Sequence, residues 1–418
     1  MLAWNSLHVY NAVHVVRVPG VPDRQGLRTV IEAEIHRRSL SGLTVDAARR
    51  VYSCAGNGPA PDLSFLDCRN GIRESIATEI ERQLNSPFDL SGPFCPFRFF
   101  VAPGDGSFHL GIAYLHAVAD GESIVLLMKA VVEEYTGKGE AAGEHSSRRA
   151  LQTLRELRPG PGVVLRKIAA LRSQISNLRR SCRPAFQDPS DLAIGFALFS
   201  AGPEKLRGLV QAAKSWGITV NDVLLALLMK SCTPLATGRA TDRRDRISLG
   251  CIVNIRKDLP REAIQSFGLH LGSFLITQKL APDQPLKVLA TDINRETTRI
   301  KKERLYLATS LELSLGRFLL AFFSTGRQKK LYQKHYPLWG GLTNMNINSL
   351  WPSAFGCEPP DYIRAVSTGP VTPLVLSFTT SGPGANIGIS FRTTVFSPSD
   401  IERIKACLLD SLTDLEAA

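Results

Sequence analysis

The sequence predicts an α/β protein with two cores, and three observations lead there. Phe108, Leu110, Ile112 and Tyr114 alternate with His109, Gly111, Ala113 and Leu115, the period-two pattern of a strand. Ile124, Leu127, Met128, Val131, Val132 and Tyr135 then fall on one helical face, with Gly137 as a stop. Finally, 418 residues with 44% hydrophobic content can bury two cores, and the length favours two or three domains. The expected division is an N-terminal subdomain over 1–145, a basic crossover over 146–188 and a C-terminal subdomain over 189–418.

The strand and the helix are joined by His116-Ala117-Val118-Ala119-Asp120-Gly121. This turn sets a potential general base, a carboxylate and a glycine at fixed spacing, and strand-to-helix turns commonly aim reactive side chains at clefts. Ser123 is expected to support the first helical turn, since serine bonds backbone donors there; it also stands as a weaker substrate or oxyanion candidate. His109 reads as a structural histidine between Phe108 and Leu110, and His270 and His335 have no partner pattern. Asn344, Asn346 and Asn348 alternate, so one strand face could present amides to a substrate channel or a developing oxyanion. Local hydrogen bonding at a strand end is the alternative for each.

Composition fits a soluble enzyme. No apolar run is long enough to span a bilayer; Leu315 to Phe323 is short and interrupted by Arg317. The N-terminus lacks the pattern of a signal peptide. The eight cysteines show no Cys-x-x-Cys pairing and read as reduced, mostly buried thiols of a cytoplasmic protein. Neither they nor the eight histidines have metal-ligand spacing, so no metal and no tightly bound cofactor are expected. A monomer is expected.

The formal charge of +12 is unevenly spread. Between positions 148 and 183, Arg148, Arg149, Arg155, Arg158, Arg166, Lys167, Arg172, Arg179, Arg180 and Arg183 face Glu156 alone. Val164, Ile168, Leu171, Ile175 and Leu178 repeat there at helical spacing, which predicts an amphipathic helix with a basic outer face. Pro159-Gly160-Pro161-Gly162 before it reads as a hinge or loop. The basic face is either simply solvated or a landing surface for an acidic partner. Charge alone would also admit nucleic acid, but no nucleic-acid motif accompanies it, so none is expected.

The turn at His116 resembles the His-x-x-x-Asp-Gly signature of the chloramphenicol acetyltransferase-like superfamily, which includes condensation domains, polyketide-associated acyltransferases, wax ester synthases and plant acyltransferases. Asn85-Ser86-Pro87-Phe88-Asp89-Leu90, with Gly92-Pro93 and Arg98 following, resembles the Pro-Phe-Asp-Leu segment of condensation-type members. Thr219 to Ala226 resembles a helix start in the second half of such enzymes, and Ile252-Val253-Asn254-Ile255-Arg256 the strand carrying their structural arginine. Gly272-Ser273-Phe274, Thr343-Asn344 and the strand–turn–helix pattern of Val18 to Ile35 extend the match along the chain. The resemblance implies two such subdomains, each a mixed sheet flanked by helices, in a V-shaped pseudo-dimer with a central tunnel.

It also implies a free-standing acyltransferase of natural-product or lipid biosynthesis. The acyl donor would be a coenzyme A thioester or a phosphopantetheinyl acyl or peptidyl carrier protein, and the acceptor a small molecule with a hydroxyl or amine. His116 would be the general base. Asp120 would turn away from substrate and pair with Arg256, in a charge-assisted contact, single or two-pronged, that fixes the loop. Gly121 would leave room for the thioester arm, or else supply a positive φ. Arg166, Lys167, Arg172 and Arg179 would dock the donor. Leu115 stands where most condensation-type members have a second histidine, which favours ester over amide formation. The plant-type Asp-Phe-Gly-Trp-Gly motif is missing, and Leu338-Trp339-Gly340-Gly341 is a faint echo of it, better read as a turn beside a packed tryptophan. A catalytically silent recruiting module and an amide-forming condensation enzyme remain the alternatives.

Overall fold

The computed structural model describes residues 7–46, 51–137, 161–188, 190–261, 266–308, 337–352, 361–369 and 371–417, with a few isolated positions besides. In chain order the first half holds β1 (Asn11–Pro19), α1 (Arg24–Arg37), β2 (Leu43–Asp46), β3 (Val51–Cys54), β4 (Asp62–Phe65), α2 (Ile72–Asn85), β5 (Phe97–Pro103), β6 (Ser107–Leu115) and α3 (Gly121–Tyr135). A long helix, α4 (Pro161–Arg180), leads to β7 (Ile194–Ala201), α5 (Pro203–Ser215), α6 (Val220–Thr237), β8 (Arg246–Asn254), β9 (Leu271–Lys279) and α7 (Leu286–Lys302). Then come β10 (Gly340–Asn346), β11 (Tyr362–Val366), β12 (Leu374–Ser381), β13 (Gly384–Arg392) and α8 (Pro398–Ala417).

Two mixed sheets carry the fold. The first has strand order β11-β1-β6-β5-β4 and the second β7-β13-β12-β10-β8-β9; β2 and β3 form a separate ribbon. The alternation read from the sequence sorts β6 as expected. Phe108, Leu110, Ile112 and Tyr114 pack with Ile124, Leu127, Met128, Val131 and Val132 of α3. Ala113, on the opposite face, packs with Ile76, Ile80 and Leu84 of α2. Both faces are therefore covered, which is why the polar positions on this strand are few. Gly111 lacks a Cβ for a local reason: the Phe100 ring lies across it, about 2 Å from where that atom would sit.

The second core is built on α6, whose Val223 to Met229 are all buried. Thr219 and Asp222 close a capping box at its start. The buried Asp222 carboxylate also accepts from Asn294 and Thr297 of α7, so the cap doubles as a tie between helices.

The two halves share structure. β11, late in the chain, pairs antiparallel with β1 of the first sheet. From the first half, Asn85 of α2 exchanges two hydrogen bonds with the Ile194 backbone on edge strand β7, and Glu81 accepts from Phe196 N–H at 2.9 Å. These side chains satisfy edge groups that would otherwise be open to another strand.

The Pro87-Phe88 segment wraps Arg98. The guanidinium donates to Ser86 O and Pro87 O and lies 4.1 Å from the centre of the Phe88 ring. Trp339 is buried and donates from Nε1 to Cys182 O, and Gly340-Gly341 begins β10 rather than forming a turn.

Helix α4 forms as expected but is rotated from the expected face. Val164, Leu171 and Leu178 are half-buried, whereas Ile168 and Ile175 are 58% and 42% exposed. Its C-terminal end belongs to the second half: Arg180 pairs with Asp245, and Arg246 donates to Asn177. The preceding arginines at 148, 149, 155 and 158, the Pro159-Gly160 pair, the apolar run 315–323 and His335 lie outside the described residues. No single helix among the described residues is long and apolar enough to cross a membrane. The described cysteines are unpaired; three are buried, three half-buried and Cys54 is exposed.

Candidate active site

The turn after β6 is built so that His116 has one useful nitrogen. Its backbone N–H donates to Tyr10 O at 3.0 Å, which fixes the turn against the segment leading into β1. Its Nδ1 lies 3.0 Å from Ala119 O. A carbonyl only accepts, so Nδ1 carries the proton and Nε2 holds the free lone pair of the neutral ring. The ring is buried, stacked on Tyr10 at 5.2 Å and met edge-on by Tyr114 at 5.7 Å.

Burial pushes the His116 pKa down to about 4, against smaller opposing effects of the Ala119 carbonyl and Asp120. The ring is therefore neutral and able to take a proton well below the usual histidine range. If His116 is the essential base, kcat/KM should stay flat as pH falls from about 8 to about 5 and drop only below that. A pH–rate profile with its half-point near 6.5 would show that another group titrates. Burial also holds His14 well below its ordinary value. Unfolding lets both rings take up protons below about pH 6.5, so their burial makes the fold less stable as pH falls from there.

Asp120 is buried, caps α3 and is fully used. Its carboxylate accepts from Ser123 N–H at 2.8 Å, from His270 N–H at 2.9 Å, and from Arg256 Nη2, which lies 2.9 and 3.0 Å from its two oxygens. The contact is one nitrogen shared by two oxygens, not two parallel prongs. The other prong of Arg256, Nη1, donates to Ile264 O and Ser266 O. Glu122 adds a second carboxylate 3.6 Å from Arg256 Nε and accepts from Asn254. A cluster from both halves thus closes behind the turn.

Ser123 belongs to this cluster. Its hydroxyl donates to Gly268 O and accepts from Gly268 N–H and Arg256 Nη2. The single hydroxyl proton is spent, so Ser123 has none to offer an oxyanion. Asp120 N–H also donates to Gly268 O. The segment 266–270 is therefore clasped to the start of α3 from two sides.

Gly121 does not take a positive φ, and the space beside it is held by a flexible side-chain end: a Cβ there would lie 2.8 Å from the Met345 methyl and 3.5 Å from Arg364 Nη1 and from His14 Cε1. The asparagines of β10 are placed differently from expectation as well. Thr343 and Met345 face the Gly121 cluster, and by strand alternation Asn344 and Asn346 face the other way. Asn344 and Asn346 are exposed, Asn346 accepts from Asn348 N–H, and Asn348 is bound to the Gly382 backbone.

Leu115 is fully buried in the first core. Among the docking candidates, Arg166, Arg172 and Arg179 are exposed on α4 and Lys167 is half-buried. Tyr10, Gly268, His270 and Arg364 are contributors to the site that motif reading did not supply. His270 acts there through its backbone, as Gly268 does.

No family model matches the chain, and no curated protein matches it. Solved structures do. The first condensation domain of the calcium-dependent antibiotic synthetase, in complex with a substrate analogue, matches with a TM-score of 0.74 at 16% identity, covering 100% of this chain and 94% of that one. The condensation domain from the monacolin K polyketide synthase MokA matches at 0.69 and 11% identity, covering 99% and 95%. The X-domain in the complex with OxyB from teicoplanin biosynthesis matches at 0.59 and 14% identity, covering 100% and 92%. The chain therefore has the two-sheet fold of the condensation domains over its whole length.

Proposed function

We propose that the protein is a free-standing acyltransferase that moves an acyl group from a thioester to a hydroxyl acceptor. The observation that carries this reading is the state of His116: neutral, buried, with Nδ1–H bound to Ala119 O and Nε2 left as the base. Nε2 takes the acceptor proton as the acceptor oxygen attacks the thioester carbonyl. The tetrahedral oxyanion then collapses, the carbon–sulfur bond breaks, and the imidazolium returns the proton to the leaving thiolate. Asp120 and Arg256 hold the turn and do not touch substrate. Leu115, spent on packing, leaves the site with one histidine at the motif, which favours ester over amide.

The donor is coenzyme A or a pantetheinyl carrier protein, and the basic outer face of α4 supplies its landing surface. Transfer should be assayed from acyl-coenzyme A and from an acylated carrier to alcohol and amine acceptors, with the product identified by mass spectrometry. Ester from either donor supports the reading. Amide alone would make this a condensation enzyme, and capture of the carrier without any product would make it a recruiting module. Reversing the charge at Arg166, Arg172 and Arg179 should raise the donor KM about tenfold at low salt and flatten its salt dependence. An unchanged KM would reduce this face to a solvated surface.

A further inference from the structure

Two arginines are buried around the turn, and their partners differ. Arg256 is compensated by Asp120 and by Glu122. Arg364 is 2% exposed, and among the described residues it has the phenols of Tyr114 and Tyr362 nearby and no carboxylate paired with it. It lies on β11 opposite His14 of β1, yet its side chain reaches into the other sheet. Nε donates to Thr379 Oγ1 at 3.0 Å, Nη2 to Phe378 O at 3.1 Å and to Thr343 O at 3.4 Å, and Nη1 to Thr343 Oγ1 at 3.4 Å. All four acceptors are neutral, and two of the bonds are long. A guanidinium has five N–H groups, so one on Nη1 is unspent among the described residues. Burying such a charge without a counter-ion is costly.

Other groups around it are also set up for an anion. The Tyr114 hydroxyl is fully buried and has no hydrogen-bond partner among the described residues. Its ring lies edge-on to both His14 and His116. Gly121 and Glu122 open α3, where N–H groups lack intrahelical acceptors and the helix end is positive. Arg364 Nη1 and His14 Cε1 each lie 3.5 Å from the missing Cβ of Gly121, and the intervening space is held by the methyl of Met345, a flexible side chain that can move aside. Next to that space, the Tyr362 hydroxyl lies 3.0 Å from His14 Nδ1 and the Tyr114 ring meets His14 and His116 edge-on, while Asp120 is turned back into its own cluster.

We infer that Arg364, with the Tyr114 hydroxyl and the first turn of α3, receives a carboxylate of the substrate in the space now filled by the Met345 methyl. The carboxylate supplies the counter-ion that no described residue provides, and a substrate bearing one is held beside the turn that carries His116. This rests on the acyltransferase reading for what happens to the substrate, but not for the existence of the anion site. The carboxylate is either at the far end of the acyl chain or on the acceptor.

Binding comes first as the test. Thermal shift of the full chain with succinate or glutarate, against chloride at equal ionic strength, should show stabilisation by the dicarboxylates. Arg364→Met should abolish that response and Met345→Ala should enhance it. Should Arg364→Met fail to fold, Arg364→Lys keeps the charge and the stem but loses the fork, and should weaken dicarboxylate binding about tenfold. No response in the native chain, or an unchanged response in a folded Arg364 variant, overturns the site.

Rates then identify the source. Succinyl- against butyryl-coenzyme A tests the donor, and 3-hydroxybutyrate against 2-butanol tests the acceptor. One pair should favour the carboxylate about thirtyfold, and Arg364→Lys should erase most of that preference. No preference in either pair overturns substrate recognition by Arg364. If no donor is turned over while the dicarboxylates still bind through Arg364, the acyltransferase reading falls and the anion site stands.

Discussion

Replacing His116 with alanine should abolish acyl transfer to within the background while leaving the fold intact. A positioned base contributes about a hundredfold to ten-thousandfold, and here no second histidine precedes it, because Leu115 is in the core. The fold should survive because the turn is held by backbone and by Asp120, not by the imidazole. The His116 N–H bond to Tyr10 O, the Val118 N–H bond to Leu115 O and the Asp120 cluster all persist in the variant. What is lost is the stack on Tyr10 and the Ala119 contact, worth about 1–3 kcal/mol in a chain whose total stability is larger. Circular dichroism and the urea midpoint establish the fold, and single-turnover transfer from an acyl thioester gives the rate. A folded His116→Ala protein that still transfers at near the native rate would remove the imidazole from the mechanism. One that loses transfer but still binds donor separates the base from any docking role.

How much of this was legible in the sequence follows from the kind of signal each part leaves. The β6–turn–α3 unit was readable because period two gives way to helical spacing within thirty residues, and side chains on one local element need no knowledge of the rest. The Asp120–Arg256 contact spans 136 positions and reached the sequence reading through family resemblance alone. The clasp by Gly268 and His270 was invisible, since it is made by backbone N–H and C=O groups, which every residue has. Arg364 was hidden because a buried arginine whose described partners are neutral has no sequence mark. Its meaning comes from β11 crossing into the first sheet, a topological fact.

Faces were the commonest error, for one physical reason. Both α4 and β10 show a periodic pattern, but periodicity gives a face and not the neighbour against which it packs. On α4 the half-buried positions Val164, Leu171 and Leu178 recur every seven residues, and Lys167 and Gln174 share their side; the apolar Ile168 and Ile175 fall outside. On β10 the asparagines do share a face, but Thr343 and Met345 on the other face meet Gly121 and Arg364. Gly121 shows the same limit. A glycine after a turn suggests backbone freedom, yet its φ is not positive and its open side meets the Met345 methyl arriving from the other sheet.

Removing Arg256 should destabilise the protein by about 3–5 kcal/mol, the usual consequence of stranding one member of a buried pair. In Arg256→Met, Asp120 keeps the N–H groups of Ser123 and His270 but loses its charge partner. The carbonyls of Ile264 and Ser266 lose their donor together with it, and Ser123 loses one of its three contacts. Asp120→Asn costs less in shape but reverses a donor: its carboxylate accepts from three donors, so the amide must turn an N–H toward one of them. The double variant Asp120→Leu, Arg256→Met should be less damaging than the sum of Asp120→Leu and Arg256→Met made singly, because neither charge is left alone. Urea unfolding of the four proteins gives the coupling energy, expected at about 2 kcal/mol or more. The site predicts a further mark that a purely local pair would not show. The pair joins the cap of α3 in the first half to the segment 256–270 of the second, so its loss should separate the unfolding of the halves into two transitions. It should also lower kcat, because the His116 imidazole is oriented by the Ala119 carbonyl immediately before Asp120. Single changes that leave both the midpoint and the cooperativity untouched would show that Asp120 and Arg256 are not what holds the turn.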